Sequence, residues 1–522
     1  MDRILILDFG GQTTQLIARR IRELGVYTQI LPGDTTLSDA ALRDVRGIVM
    51  SGSPFSVAEP GAPKPDPRVY SGDLPVLGIC YGLQRLMHDN GGAVEAGETR
   101  EYGRARLHFV QKHPLFKDIP EGFVSWMSHG DSIRELAPGF DLVAESDNGL
   151  PACITARAGG FVGIQFHPEV SHCEYGTKIL ENFSVGICGA RRDWSVDRYL
   201  EQIEQEVRGQ AGDSPVILLI SGGVDSTVVA ALLLHALDPS QVHLMYVDTG
   251  LMRSNETAEV GGNLKQIGAR HLYIVDAADE FLTALARVAE PEEKRRIIGD
   301  LFMTIQEREV ARAAAESDID LSNAILAQGT LYTDLIESGH GVGNKGALIK
   351  SHHNVRSPLV SRKREEGKLI EPLRSLYKDE VRALGERLGV KREIIRRHPF
   401  PGPGLAVRIL GEVTREKCDI LREADAIYIA ELRKRNLYER IWQAFAVLLP
   451  VQSVGVTGDA RHYGYVLALR AVASSDGMTA DVFPFPMQDL LEISSIITNR
   501  VKRIGRVVYD VSSKPPATIE WE

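Results

Sequence analysis

Residues 216–227 read Val-Ile-Leu-Leu-Ile-Ser-Gly-Gly-Val-Asp-Ser-Thr, which predicts a buried strand, a glycine loop and then a helix. Gly222 and Gly223 let backbone N–H groups approach an anion closely, and the hydroxyls of Ser221 and Ser226 add donors. The helix that follows presents its positive N-terminal end. The segment has no lysine, which the Gly-x-x-x-x-Gly-Lys phosphate loop requires. The pattern therefore predicts a cradle for a pyrophosphate, with an ordinary glycine turn as the alternative.

A second candidate site lies upstream, where residues 74–84 read Leu-Pro-Val-Leu-Gly-Ile-Cys-Tyr-Gly-Leu-Gln. The apolar residues predict a strand that ends in Gly-x-Cys-x-Gly and leads into a helix. This is the pattern of a nucleophile elbow with cysteine as the nucleophile. The N-terminus of the helix would favour the thiolate form of Cys80. A buried cysteine that acts only as a small apolar side chain is the alternative interpretation.

A histidine and a carboxylate complete this second site. Residues 161–169 read Phe-Val-Gly-Ile-Gln-Phe-His-Pro-Glu, another short apolar strand followed by His167 and Glu169. His167 can act as a base and Glu169 as the acid that orients it. The order cysteine, histidine, acid suits a triad whose members are distant in sequence but close in space. These residues predict nucleophilic catalysis by a thiol.

The elbow and the His-Pro-Glu segment together resemble the class I glutamine amidotransferases, which hydrolyse glutamine through a glutamyl thioester. The resemblance implies that the backbone N–H groups of Gly52 and Tyr81 form the oxyanion hole. Ser53 stands where the family usually has a second glycine. The glutamine contacts that the resemblance implies are Gln84, Ser128, His129 and Asp131. For Asp131, a solvated loop acid is an equally good interpretation.

The Ser-Gly-Gly-x-Asp-Ser loop resembles the ATP pyrophosphatase family, whose members adenylate a substrate oxygen and release pyrophosphate. The ATP contacts that this resemblance implies are Ser221, Gly222, Gly223, Val224, Asp225, Ser226 and Thr227. Asp225 would also position a Mg²⁺ ion that bridges the ATP phosphates. A plain helix-capping carboxylate is the alternative role for Asp225.

The bulk composition agrees with these chemistries. The chain has 522 residues, 43% hydrophobic and 25% charged, which suits three or four soluble domains, and it contains no run of 18 apolar residues. Its first ten residues do not form a secretory signal, so a cytoplasmic location is expected. The net charge of −10 argues against a general nucleic-acid surface. Five scattered cysteines suggest neither a disulfide framework nor a zinc site.

Short apolar strands alternate with helical segments in two successive blocks, and a proline- and glycine-rich segment at 398–404 opens a third. The expected fold class is therefore α/β, with two mainly parallel-sheet domains followed by a smaller α+β domain. The expected boundaries are residues 1–192 for the amidotransferase domain, 193–397 for the ATP pyrophosphatase domain and 398–522 for a C-terminal domain that binds the acceptor and dimerises.

Four segments identify the acceptor by resemblance. Residues 328–334, 398–404, 455–461 and 514–522 look like those of the glutamine-hydrolysing GMP synthetases, in the same order along the chain. This resemblance implies that xanthosine monophosphate (XMP), ATP and glutamine give GMP, AMP, pyrophosphate and glutamate. A homodimer through the C-terminal domain is expected, with a monomer as the alternative, and the charge and hydropathy predict no nucleic-acid or membrane partner. The XMP contacts that the resemblance implies are Arg408, Lys514, Thr518 and Glu520.

Some positions differ from the family pattern. Residues 350–355 resemble the start of a mobile lid, but Arg356-Ser357-Pro358 replaces the usual glycine pair. Gln452 and Ala460 stand where the family often has arginine and glycine. The alternatives are another amidotransferase-coupled adenylating ligase, an RNA-thiolating enzyme, or a non-catalytic sensor. The C-terminal tail argues against the first two, and the intact triad and ATP loop argue against the third.

Overall fold

The computed structural model describes residues 1–316, 320, 322–331, 358–457, 460–474 and 479–522. The lid-like residues 350–355 and the departures at Arg356 and Ser357 lie outside these ranges. The described residues form two compact units, one of residues 1–199 and one that starts at residue 200. None of the helices within the described ranges is long and apolar enough to cross a membrane.

The first unit is built on a nine-stranded sheet in the order β2-β1-β3-β4-β9-β8-β7-β5-β6. The first five strands in this order, β2, β1, β3, β4 and β9, run parallel to one another. The remaining neighbours, from β9 to β6, pair antiparallel. The strands are β1 (Arg3–Asp8), β2 (Tyr27–Pro32), β3 (Val45–Met50), β4 (Val76–Ile79), β5 (Ala93–Phe109), β6 (Val124–Glu135), β7 (Phe140–Ser146), β8 (Pro151–Ala156) and β9 (Phe161–Ile164).

The register between β4 and β9 decides where the chemistry of this unit lies. Ile79 pairs with Ile164, so the residues that follow both strands emerge side by side at the carboxyl edge of the parallel sheet. Ligands of open α/β sheets bind at this edge. The helices of the unit are α1 (Thr14–Glu23), α2 (Asp39–Leu42), α3 (Tyr81–Asp89) and α4 (Gly176–Glu181), and α5 (Val196–Ala211) begins in it.

The first unit continues past residue 192. The Trp194 ring lies 5.0 Å from that of Tyr27, and Tyr199 packs on the same ring at 6.5 Å. Before them, Arg191 pairs with the buried carboxylate of Asp2 at 3.0 Å. The short polar segment after residue 187 is therefore held against the first unit by aromatic packing and an ion pair.

The second unit contains a fully parallel five-stranded sheet in the order β12-β11-β10-β13-β14. The chain runs outward from β10 in one direction and then returns to its other side, which makes the end of β10 the topological switch point. The strands are β10 (Val216–Ile220), β11 (Val242–Asp248), β12 (His271–Asp276), β13 (Ile325–Ala327) and β14 (Leu369–Ile370). The helices are α6 (Val224–Ala236), α7 (Glu256–Gln266), α8 (Ala278–Ala284), α9 (Pro291–Glu316), α10 (Pro358–Glu365), α11 (Lys378–Arg387) and α12 (Arg392–Ile395).

The C-terminal part of the second unit is α+β. A long antiparallel hairpin is extended by one short strand and one parallel strand, and two helices pack with this sheet. One hydrophobic core includes Leu326 of the parallel sheet and Leu467 of the hairpin, so the two sheets share their interior. The predicted fold class is confirmed. The elements are α13 (Arg415–Lys434), β15 (Gln443–Thr457), β16 (Ala460–Ala473), β17 (Asp481–Val482), α14 (Met487–Arg500) and β18 (Ile504–Tyr509).

Candidate active sites

Cys80 sits on a strained turn between β4 and α3. Its backbone has φ 52° and ψ −105°, a positive φ that side-chain-bearing residues rarely adopt. The flanking glycines make the turn possible. A Cβ on Gly78 would lie 2.6 Å from the carbonyl carbon of Gly82, and a Cβ on Gly82 would lie 2.3 Å from the carbonyl oxygen of Met50. The turn at Cys80 therefore has the tight strand-to-helix geometry that the Gly-x-Cys-x-Gly pattern predicts.

The three predicted triad residues lie together. Nδ1 of His167 is 2.7 Å from Oε1 of Glu169, and the His167 side chain hydrogen-bonds to Cys80. Burial opposes the charged imidazolium, but the hydrogen bonds to Cys80 and Glu169 outweigh burial and raise the pKa of His167 to about 10. A protonated His167 beside Sγ stabilises negative charge on the sulfur and holds a proton for a leaving group.

Thr13 and Arg20, which the sequence did not point to, hold Glu169, Thr13 through its carboxylate and Arg20 through its backbone carbonyl. Oγ1 of Thr13 donates to Oε1 of Glu169 at 2.5 Å, and Nε of Arg20 lies 3.4 Å from the Glu169 carbonyl oxygen. Glu169 is fully buried, and its Oε2 has no hydrogen-bond partner. A threonine directly before a helix is normally interpreted as an N-cap, yet Thr13 makes no capping bond with its side chain.

The residues predicted to supply the oxyanion hole lie next to the triad. A Cβ on Gly52 would lie 3.4 Å from Cε1 of His167 and 3.9 Å from Cβ of Cys80, so this loop is in direct reach of the triad. Tyr81 is the first residue of α3, where a helix leaves its N–H groups free of intrahelical bonds. Its phenol points elsewhere and donates to the carbonyl of Pro63 at 2.6 Å.

Of the predicted glutamine contacts, Ser128 lies near the sulfur, and Gln84 and His129 both contact the backbone carbonyl of Asp131. The Ser128 carbonyl lies 3.9 Å from Sγ of Cys80, and Nε2 of Gln84 donates to the Asp131 carbonyl at 3.0 Å. His129 links the Asp131 carbonyl to Glu101, with Nδ1 2.9 Å from that carbonyl oxygen and Nε2 3.1 Å from Oε2 of the buried Glu101. His129 therefore supports the backbone of the pocket through Glu101, a residue 28 positions earlier in the chain.

Glu101 carries its charge in the interior of the unit. Burial raises the pKa of a carboxyl, but hydrogen bonds from His129, Ser146 and Asn148 outweigh burial and lower the pKa of Glu101. Ser146 Oγ and Asn148 Nδ2 donate to its Oε1 at 2.7 Å and 2.8 Å. An ionised carboxylate is therefore anchored behind the predicted glutamine pocket.

The predicted ATP loop follows β10 at the topological switch point. Gly222 has φ +78°, and the Oγ atoms of Ser221 and Ser226 are 3.1 Å apart. Oγ1 of Thr227 donates to the Gly223 carbonyl at 2.8 Å, which tightens the first turn of α6. The buried Val224 begins this helix. The loop and the helix N-terminus lie together at the end of β10, which is the arrangement that an anion cradle requires.

Positive groups reach this cradle from later in the chain. Nζ of Lys378, at the start of α11, lies 2.6 Å from both carboxylate oxygens of Asp225 although 153 residues separate them. Arg397 pairs with the buried Glu256 at 3.0 Å and contacts the Gly222 carbonyl at 3.4 Å. The local sequence motif, which contains no lysine, could not show these partners.

The predicted XMP residues lie in the C-terminal part of the second unit. Arg408 is fully buried, and its Nε and Nη2 donate to the two Glu520 oxygens at 3.0 Å and 2.8 Å. Its guanidinium also stacks on the Phe445 ring at 4.1 Å. Thr518 hydrogen-bonds to the Glu520 carbonyl, and the Lys514 backbone pairs with Ala480 in a β-bridge. Arg408 and Glu520 are therefore partners of each other in this state.

Two further buried cations hold the final segment of the chain. Lys294 is fully buried and donates to the carbonyls of Ala406 and Ile409 at 3.2 Å and 2.7 Å and to Oε2 of Glu522 at 2.5 Å. Arg470, also fully buried, donates to the Thr518 carbonyl at 3.1 Å. These contacts fix the tail against the segment that carries Arg408.

Three family models match successive parts of the chain. Residues 5–187 match "Glutamine amidotransferase class-I", residues 198–316 match "Asparagine synthase" and residues 430–521 match "GMP synthase C terminal domain". The first match contains the cysteine triad and the second contains the phosphate cradle.

Full-length relatives decide the family. The chain is 49% identical to the glutamine-hydrolysing GMP synthase of Aquifex aeolicus (strain VF5), with 99% of each chain covered. It is 50% identical to that of Chlorobium luteolum (strain DSM 273 / BCRC 81028 / 2530), and 48% identical to that of Bdellovibrio bacteriovorus (strain ATCC 15356 / DSM 50701 / NCIMB 9529 / HD100), each with full coverage of both chains. The chain belongs to the glutamine-hydrolysing GMP synthase family. Glutamine-dependent GMP synthesis is a reaction of purine biosynthesis, and members of this GMP synthase family are carbon–nitrogen ligases that use ATP.

Proposed function

We propose that this chain makes GMP from XMP, ATP and glutamine, releasing AMP, pyrophosphate and glutamate. The observation that carries the proposal is that a full-length match to glutamine-hydrolysing GMP synthases coincides with two candidate chemical sites. One site places His167 and Glu169 beside Cys80, and the other places a phosphate cradle at the switch point of a parallel sheet.

The first half-reaction is glutamine hydrolysis. Sγ of Cys80 attacks the carboxamide carbon of glutamine, the C–N bond breaks, and His167 gives a proton to the departing ammonia. Water then attacks the thioester, the C–S bond breaks and glutamate leaves. Oε1 of Glu169 lies 2.7 Å from Nδ1 of His167, and this contact would keep Nε2 directed at the sulfur.

Backbone groups stabilise the tetrahedral intermediates of both steps. We assign the oxyanion hole to the N–H groups of Gly52 and Tyr81, because the Gly52 loop and the first turn of α3 flank Cys80. A donor of this kind contributes about 3 kcal/mol to catalysis. We assign glutamine binding to Gln84, Ser128, His129 and Asp131, the last two through the backbone that Glu101 supports.

The second half-reaction is adenylation and amination. The C2 oxygen of XMP attacks the α-phosphorus of ATP, and pyrophosphate leaves as the bond to the β-phosphate oxygen breaks. Ammonia then attacks C2 and AMP leaves with the oxygen. We assign ATP binding to residues 221–227, where the loop N–H groups and the start of α6 receive the phosphates.

The donor set beside the cradle fits Mg²⁺. The Asp225 carboxylate is partly exposed, and Mg²⁺ commonly takes one or two carboxylates together with substrate phosphates. Among the described residues no three His, Cys, Asp or Glu side chains cluster to hold a metal, so the phosphates would supply much of its shell. When bound, the ion neutralises phosphate charge. Lys378 supplies positive charge to the same carboxylate.

We assign acceptor binding to the tail and its partners. Lys514, Thr518, Glu520 and Arg408 would contact XMP, and the pairing of Arg408 with Glu520 leaves Nη1 of Arg408 buried without a partner. An incoming anionic or carbonyl group would satisfy that nitrogen. We further propose that residues 1–192, 193–397 and 398–522 carry glutamine hydrolysis, adenylation and acceptor binding.

We also propose a homodimer that forms through the C-terminal domain. The hairpin of β15 and β16 exposes Val451, Val454 and Tyr463 by 57%, 49% and 62%, and exposed apolar residues in one region favour a protein partner. Because the substrates are nucleotides, we place the reaction in the cytoplasm. Sedimentation of the protein with and without Val454→Asp tests the dimer.

The proposed reaction is tested with purified protein, ATP, Mg²⁺ and XMP, supplied with either glutamine or ammonium. Wild type should form GMP and AMP with both nitrogen sources. Cys80→Ala should lose glutamine use and keep ammonium use, because only the first half-reaction needs the thiol. Absence of GMP with both sources would show that the acceptor is another molecule.

A further inference from the structure

Gln165 and Cys80 occupy equivalent positions at the ends of two neighbouring strands. Strands β4 and β9 are in parallel register with Ile79 opposite Ile164, so the next residue of each strand is Cys80 on one side and Gln165 on the other. Backbone hydrogen bonds hold both residues just past the strand ends, because the Cys80 N–H donates to the Ile164 carbonyl at 2.8 Å and the Gln165 N–H donates to the Ala152 carbonyl of β8 at 2.9 Å. Gln165 is 2% exposed, so its side chain is buried within the unit.

The side-chain amide of Gln165 touches the sulfur. Its Nε2 lies 3.6 Å from Sγ of Cys80, and its Oε1 accepts from Nε2 of Gln84 at 3.3 Å. Gln84 is oriented in turn by the Asp131 carbonyl, which accepts from the same nitrogen at 3.0 Å. A flipped Gln165 would place two NH₂ groups face to face, so the network fixes the N–H toward the sulfur.

We propose that Gln165 is a positioning and charge-stabilising residue of the glutaminase site, whose N–H holds the anionic form of Cys80 Sγ. The proposal rests on the proposed function of Cys80 as nucleophile. A neutral thiol is a weak acceptor, whereas a thiolate is a strong one, so this bond strengthens when the sulfur is charged. The sulfur is charged before attack on glutamine and again when the C–S bond of the thioester breaks.

This donor is separate from the triad. His167 reaches the sulfur from the segment after β9 and is oriented by Glu169, while Gln165 is oriented by Gln84. The two donors therefore have independent supports, and a change in Gln165 leaves the His167–Glu169 bond intact. Because the bond acts on a charge that develops during reaction, its loss should lower kcat more than it raises KM.

The test uses the full-length enzyme with Gln165→Met, which keeps length and removes the N–H, and Gln165→Glu, which keeps shape and presents a carboxylate oxygen to the sulfur. Gln111→Met, at an exposed position of the same unit, is the matched control. Iodoacetamide alkylation of Cys80 is followed by peptide mass spectrometry across a range of pH, which reports thiolate without requiring turnover.

We expect Gln165→Met to slow alkylation at neutral pH by about tenfold and to move the profile to higher pH, since a hydrogen bond to a charged group is lost. We expect kcat with glutamine to fall by a similar factor and KM to change by less than about twofold. Gln165→Glu should show larger effects in the same direction, and Gln111→Met should match wild type.

An alkylation profile identical to wild type in both Gln165 variants would overturn the proposal. A rise in KM for glutamine with unchanged kcat would also overturn it and would make Gln165 part of the pocket wall. Thermal unfolding of each variant checks folding, and Gln165→Glu keeps the test open if Gln165→Met is unstable. If wild type forms no GMP, the proposed function fails while the alkylation result still decides the role of Gln165.

Discussion

Thr13 donates its hydroxyl hydrogen to Oε1 of Glu169 at 2.5 Å, and this is the oxygen that also receives the N–H of His167 at 2.7 Å. The other oxygen of the carboxylate is buried without a partner. Both hydrogen bonds that hold the acid of the triad therefore converge on one atom. The N-terminus of α1 supplies one of them, far from the His-Pro-Glu segment in sequence.

We expect Thr13→Val to lower glutamine-dependent kcat by about tenfold, because a hydrogen bond to a carboxylate contributes roughly 1.5–3 kcal/mol and the carboxylate would then be free to rotate. Thr13→Ser keeps the hydroxyl and should stay close to wild type. Steady-state glutaminase assays measure both variants. Equal activity of the valine and serine variants would show that the hydroxyl has no role.

The pKa of His167, raised to about 10, predicts the alkaline limb of the glutaminase profile. The imidazolium persists through neutral pH and loses its proton as the pH rises through about 10, so proton delivery to ammonia fails only in strong alkali. Glu169→Gln removes one of the charges that raise this pKa, and the limb should move to lower pH. The measurement is kcat/KM for glutamine against pH, and an unmoved limb would contradict the assignment.

The same pKa has a consequence for stability. A histidine whose folded-state pKa exceeds its unfolded value of about 6.5 contributes its full stabilisation below pH 6.5. That contribution is lost as the pH rises toward 10. The free energy of unfolding of the wild type, measured with urea, should therefore decline between pH 6.5 and 10. The decline should be smaller in Glu169→Gln, and parallel curves of this free energy against pH for the two proteins would contradict the prediction.

Lys378 is expected to matter for ATP. Its Nζ lies 2.6 Å from both oxygens of Asp225 beside the cradle. We expect Lys378→Met to raise the KM for ATP about tenfold in the ammonium-dependent reaction, because a charge-assisted contact near the phosphates is removed. Lys265→Met, on the exposed side of α7, is the control and should have no effect. An unchanged KM and kcat in Lys378→Met would remove this lysine from the ATP site.

Lys294 is expected to matter for XMP. Removing one partner of a buried ion pair costs about 3–5 kcal/mol, so Lys294→Met should lower Tm and raise the KM for XMP by loosening the tail. Glu522→Gln should act in the same direction. Combining the two substitutions leaves no unpaired buried charge, and part of the lost stability should return. Strictly additive effects on Tm in the double variant would show that the pair is not coupled.

The local motifs of this chain could be predicted from sequence because each one is a short strand, a glycine turn and a helix. Cys80 and Ser221 both stand at such turns. Close backbone contacts require the glycines beside Cys80, and a positive φ favours glycine at position 222. The fold class followed from the same alternation. The sequence did not predict that half of the first sheet is antiparallel, because the pattern of apolar residues in a strand does not reveal the direction in which it pairs.

The partners of the motif residues could not be predicted, because each one comes from a distant part of the chain. Thr13 and Lys378 have unremarkable neighbours in sequence, and only the fold brings them to Glu169 and Asp225. Gln165 lies in the segment that carries His167, but its contact with Cys80 also depends on the fold. Arg408 and Glu520 were both expected to contact XMP, and their pairing with each other could not be seen from motifs. Sequence identifies reactive groups more readily than the groups that hold them.

The register between β4 and β9 does not depend on the length of the turn that precedes β9. The turn at Gly159 and Gly160 lies just before β9, and both glycines have positive φ. Residues added there would lengthen a surface turn while Ile164 stays opposite Ile79. A single residue added inside β9 would instead shift the chain by one position, turn Gln165 away from the sulfur and move His167 with it. The glutaminase site should therefore tolerate peptide tags at residues 159–160 and fail on a one-residue insertion four positions later.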